Sequence, residues 1–193
     1  MTEALISTRR SLLGFGGAML SAAAIGVLAD SPAAMAATGG ASASSGDVDI
    51  LNIALGLEHE AIAAYSIGAG SGLLSPDVLK VAVLFQGHHK GHRDALMGAI
   101  EKMGGKPVAA MTDAEYATKL DVANTVKSAT DVLRLAQKLE KGAANAYLGV
   151  IPSFSSKDLA QISGRLAADE ASHWTLLSNA LGDPYPEAPL MFG

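Results

Sequence analysis

Glutamates and histidines in this chain fall at spacings that can hold metal ions, and they do so twice. Leu57-Glu58-x-x-Ala61-x-x-Ala64-Tyr65 recurs as Leu139-Glu140-x-x-Ala143-x-x-Ala146-Tyr147. Each copy is followed by a second pair, His89-x-x-His92-x-x-x-Leu96 in the first half and Glu170-x-x-His173-x-x-x-Leu177 in the second. Self-similarity of this kind marks an internal repeat. On an α-helix each residue turns about 100°, so positions three and seven further on lie about 60° and 20° from the start and share its face. Glu58 therefore looks the same way as Ala61 and Tyr65, and Glu140 the same way as Ala143 and Tyr147, while His89 stands over His92 and Glu170 over His173. Four helices would each aim ligands from one stripe. Small alanines beside the acids let neighbouring helices approach, and a tyrosine two turns on can donate its phenol hydrogen to a carboxylate.

Each of these residues also has a plainer reading. A lone Glu on a helix is ordinarily solvated; Glu58 and Glu140 depart from that default because apolar neighbours surround both and the surroundings repeat. Glu60 lies off that face and reads as solvated, His59 as exposed and Asp169 as solvent-facing. His88 points about 100° from His89, towards a rim position. His88, His89 and His92 together also fit a surface patch that scavenges metal or senses pH. Asp94 is no substitute ligand, because two residues past His92 it points about 160° away. Tyr65 and Tyr147 read equally as core aromatics or as donors that orient carboxylates.

Glu on one helix, Glu-x-x-His on the next, and the same again is the ligand set of ferritin-like di-iron and di-manganese carboxylate proteins, and residues 47–182 resemble that superfamily. In particular the chain is similar to exported bacterial ferritin-like domain proteins with twin-arginine leaders. The resemblance implies an all-α, ferritin-like four-helix bundle with a long crossover between helices two and three. It implies that Glu58 and Glu140 are terminal carboxylates, Glu170 a bridging one, and His92 and His173 imidazole ligands. The metal would be Fe or Mn, as a dinuclear site reacting with oxygen or peroxide. One position departs from the pattern: His89 stands where the second helix of the family has Glu. Three carboxylates leave two divalent cations with excess positive charge, costly in a low-dielectric core, unless an exogenous anion restores the balance. Imidazole donors also bring Zn and Cu within reach. The rival expectation is a non-catalytic ferritin-like envelope protein with a stress or desiccation role.

Composition agrees with a helical metal protein and narrows what else the chain can do. Its 193 residues are 49% apolar but only 5% aromatic, and the net charge is −5. Without a basic cluster in the body of the chain, nucleic acid is excluded as a partner on electrostatic grounds. There are no cysteines, which removes thiolate metal sites, iron–sulfur ligation and thiol catalysis together. Ser7-Thr8-Arg9-Arg10-Ser11-Leu12-Leu13 reads as a twin-arginine leader ending near Ala34-Met35-Ala36. Residues 1–36 are thus expected to be a signal peptide engaging the twin-arginine translocase, which places the mature protein in the periplasm or outside the cell. Residues 37–46, rich in Gly, Ala and Ser, read as a flexible linker. Nothing supports a phosphate loop or a nucleophile elbow.

The elements that must position the ligands are legible from their punctuation. A first helix is expected from about Asp47 to Gly68, with Ile50, Leu51, Ala54, Leu57, Ala61 and Tyr65 on its apolar side. Ser75-Pro76 opens a second, which Gly104-Gly105 closes. The crossover Lys106–Ser128 carries a capping box at Thr112-x-x-Glu115 and so a short helix. A third long helix spans about Ala129 to Gly149, stopped by Pro152, and a fourth, capped by Ser155 or Ser156, runs to Gly182 before a tail of residues 183–193. Two short connections and one crossover longer than about 15 residues give two antiparallel helix pairs related by a pseudo-twofold axis.

Overall fold

The computed structural model of the protein describes residues 43–192, so the leader and the first part of the linker lie outside the described residues. Helix α1 spans Ala43–Gly70, α2 Pro76–Lys102, α3 Asp113–Lys119, α4 Val122–Thr125, α5 Ala129–Val150 and α6 Lys157–Ala180, with a 3-10 turn at Ile151–Ser153. No strand occurs among the described residues. The described residues form an all-α helical bundle: α1 packs on α2, α5 packs on α6, and α1 lies against α5. None of the helices among the described residues is long and apolar enough to cross a membrane.

The local signals act as the sequence leads one to expect. Ser75, Ser128 and Ser156 each accept a hydrogen bond from a backbone N–H of the first turn they precede, which satisfies a donor that a helix otherwise leaves orphaned. Thr112 and Glu115 form the reciprocal capping box. At the other end of α2, Gly104 takes φ 77° and lets the N–H of Gly105 reach back to the carbonyl of Ile100 at 2.9 Å. This Schellman turn brings the backbone so near α1 that a Cβ on Gly105 would sit 2.6 Å from Val48 Cγ1. Helix α1 begins at Ala43 rather than near Asp47; Asp47, one turn in, is buried, and its carboxylate accepts from the N–H groups of Ser155 and Ser156, pinning α1 to the start of α6.

Two apolar clusters clamp the bundle on either side of its middle. Leu51, Leu55, Leu96, Ile100, Tyr147, Leu159 and Leu166 fill one, and Tyr65, Ala82, Phe85 and Leu177 the other. Leu57, expected on the apolar side of α1, is only half-buried, and Leu55 is the residue fully enclosed. The crossover is tied down along α1. Asn52 exchanges two hydrogen bonds with it, donating to the Lys106 carbonyl and accepting from Val108 N–H. His59 is half-buried, not exposed, because its Nε2–H donates to the Val108 carbonyl. Glu60 is likewise covered and paired with Lys119 of α3, where a solvated side chain was expected.

Candidate metal centre

Between the two apolar clusters, four helices bring six polar side chains together. Glu58 comes from α1, His89 and His92 from α2, Glu140 from α5, and Glu170 and His173 from α6. None of the six exposes more than 8% of its surface, so their charges have to be balanced by one another or by a cation. All six residues singled out from the sequence are therefore in one place.

They divide into two overlapping groups. Glu58, His89, His92 and Glu170 each offer one ligand atom, and those atoms lie within 4.8 Å of one another; His89, Glu140, Glu170 and His173 do the same. The two shared residues face both ways. Glu170 turns Oε1 to His92 Nδ1 at 3.1 Å and Oε2 to His173 Nδ1 at 3.1 Å. His89 turns Nδ1 to Glu58 at 2.8 Å and Nε2 to Glu140 at 3.1 Å. A carboxylate with one oxygen for each half is what a bridging ligand between two ions requires, and hard oxygen with borderline nitrogen donors suits Fe, Mn or Zn. The donor set fits a pair of divalent metals.

The surrounding groups brace one half of the repeat against the other. The Tyr65 hydroxyl donates to Glu140, and the Tyr147 hydroxyl to Glu58. Each phenol thus crosses between α1 and α5. Both are pushed to higher pKa by burial and by the carboxylate each one meets, so they remain donors. The outer nitrogens of the histidines are held too. His92 Nε2 meets Asp169 at 3.2 Å, and His173 Nε2 meets His88 Nδ1 at 2.9 Å. Asp169 keeps most of its surface in solvent but is not merely solvent-facing; it fixes which nitrogen of His92 turns inward. His88 does the same for His173 from its rim position. The two occupy equivalent places in the repeat, each directly before a shared ligand, and reading the repeat one residue further back would have found them. Phe85, whose ring stacks on His173 with centroids 4.1 Å apart, carries no such signal.

Electrostatics inside the cluster are set by these contacts. Burial pushes the Glu58 carboxyl up, but hydrogen bonds from His89 and His92 outweigh it and hold the group at about 2. Glu140 is also lowered, against the same burial, by His173 and His89. Glu170 is raised, because burial prevails over its imidazole partners. For His89, desolvation opposes the charged form, yet Glu140 and Glu58 lift it to about 11; Glu170 and Glu58 lift His92 to about 10 in the same way. Three imidazoles stand against three carboxylates. Among the described residues no buried side-chain nitrogen or oxygen lacks a partner.

Four long helices around a buried carboxylate–imidazole cluster define a ferritin-like bundle with a candidate metal centre. Residues 46–183 match the family model described as "Ferritin-like domain", and the chain belongs to that family. Its fold is similar to the crystal structure of a conserved hypothetical protein from Mycobacterium tuberculosis, with a TM-score of 0.64 and 25% identity, covering 76% of this chain and 98% of that one. No curated protein matches the sequence.

Proposed function

We propose that this protein is an exported metal-binding member of the family, with Fe or Mn held as a pair by Glu58, His89, His92, Glu140, Glu170 and His173. The observation that carries this reading is the shared position of Glu170, one carboxylate oxygen turned to each half of the cluster. Bound there, the metal would supply one-electron exchange with oxygen or peroxide. The chain's own part is to hold and insulate: Tyr65 and Tyr147 orient the carboxylates, Asp169 and His88 fix the histidines, and the two apolar clusters exclude water. The twin-arginine motif at Arg9-Arg10 motivates the assignment to the periplasm or beyond. That route exports folded proteins, which suits a site whose metal is inserted first.

His89 supports a second reading, a metal-free bundle kept for structural or stress protection. Three imidazoles pair with three carboxylates in the core without any ion. Elemental analysis of protein purified from its own exported compartment, followed by a peroxide-consumption assay, separates the two. About two Fe or Mn per chain with peroxide turnover supports the first; an unmetallated, inert protein supports the second.

A further inference from the structure

One cavity of the bundle is not part of the carboxylate cluster yet shares walls with it. It lies at the end of the bundle formed by the C-terminal turns of α1 and the N-terminal turns of α2 and α5, and encloses about 40 Å³. Apolar side chains line it almost completely. Ala82 and Leu133 form its sides, Tyr65 and Phe85 its inner wall, Val122 and Val126 its outer one. A cavity needs roughly 10–15 Å³ by this measure to hold one water, and an apolar one that large stays dry and takes up apolar atoms such as xenon. This space therefore admits a molecule of a few atoms and no hydrocarbon chain.

Both walls lead somewhere. On the inner side the separation from the cluster is one aromatic ring thick: Tyr65 lies 5.4 Å from His89, centroid to centroid, while its hydroxyl bonds Glu140, and Phe85 stacks on His173. On the outer side stands α4, four residues with none buried. Asp121, which precedes α4, takes φ 52° and makes no side-chain cap, and a helix of four residues is too short to be stable without its neighbours. The opposite apolar cluster, by contrast, is closed by the tight approach of Gly105 to Val48.

We propose that this pocket takes up dioxygen and passes it to the cluster past the Tyr65–Phe85 pair, whose rings meet edge to face with centroids 6.2 Å apart, so that oxygen, not water, is concentrated beside the ligands. The inference rests on the oxygen-reactive reading above and adds the route. Its probe is xenon, a small apolar atom that needs no metal. Crystals of the mature protein held under xenon pressure are expected to show the atom between Ala82, Leu133 and Phe85, and Ala82→Leu is expected to abolish it. In Fe-loaded protein the same substitution should raise the half-saturating oxygen concentration about tenfold while peroxide consumption changes less than about twofold. Val126→Phe fills the pocket from the outer wall and repeats the test should Ala82→Leu fail to fold.

Xenon absent from the native pocket, an elongated hydrocarbon in its place, or both oxidants slowed alike would overturn the route. Oxygen consumption with an empty pocket removes the route and leaves the functional reading intact. Xenon seated in a protein that is inert to oxygen when metal-loaded removes the functional reading, and the route with it.

Discussion

Filling the cluster with a divalent metal has to expel protons, and the contacts set how many. His89 at about 11 and His92 at about 10 both carry two ring protons at neutral pH, whereas a ligating imidazole must give up the one on its coordinating nitrogen. Removing them at pH 7 spans about four and about three pH units, which at about 1.4 kcal/mol per unit is on the order of 10 kcal/mol. A cost of that size makes metal affinity here depend steeply on pH. The protons of His89 and His92 alone make the association constant rise about hundredfold per pH unit between about pH 6 and 8. The assay is calorimetry of Mn or Zn binding in buffers of different ionisation enthalpy, with a pH indicator as an independent count. Binding without proton release, or with an affinity flat over that range, would refute the assignment of His89 and His92 and put the metal on surface carboxylates. The metal-free protein shows the converse. His89 and His92 are raised from 6.5, so the stability they supply is complete below that pH and is lost as pH climbs through about 10 and 11. Glu58 is lowered from 4.5 to about 2, so its share is complete above 4.5 and lost towards pH 2. Scanning calorimetry without metal should find the highest Tm between those ordinary values, in mildly acidic buffer.

Further outcomes are expected for single and double variants. His89→Glu supplies a fourth carboxylate and should raise Fe or Mn per chain, measured by elemental analysis, whereas His173→Ala should lose most of the metal because it leaves Glu170 Oε2 without its partner. Tyr147→Phe should leave the helical circular dichroism unchanged but lower Tm, by about 1–3 kcal/mol of stability, since the buried Glu58 loses a donor. Gly68→Ala places a methyl 2.9 Å from Val132 Cγ1 and should cost about 1–3 kcal/mol by chemical denaturation, through overpacking between α1 and α5. Arg9→Lys with Arg10→Lys should keep the precursor in the cytoplasm on cell fractionation, because Lys does not replace the paired guanidinium groups.

The sequence by itself determined where most of the long helices start and stop, the beginning of α1 excepted, and which stripe of each carries the ligands. Ser75, Thr112, Ser128 and Ser156 cap the turns they precede because capping is decided within four residues, and Glu58, Glu140 and the two pairs share faces because helical periodicity alone puts them there. Only the tertiary structure decided who meets whom. That Glu170 turns one oxygen to His92 and the other to His173, that Tyr65 reaches Glu140 and Tyr147 reaches Glu58, and that Asp169 and His88 hold the outer nitrogens all depend on how α1 and α2 dock against α5 and α6. His59 and Glu60, polar and off the apolar stripe, read as solvent-facing along the chain; the crossover that covers them arrives from residues 106–119, too far along the sequence for any periodicity to register. The pocket behind Tyr65 and Phe85 is the extreme case. It is lined by residues from α1, α2, α5, α6 and the crossover, each of which by itself is an ordinary apolar side chain, and a cavity is a property of the space they leave, which no one segment encodes.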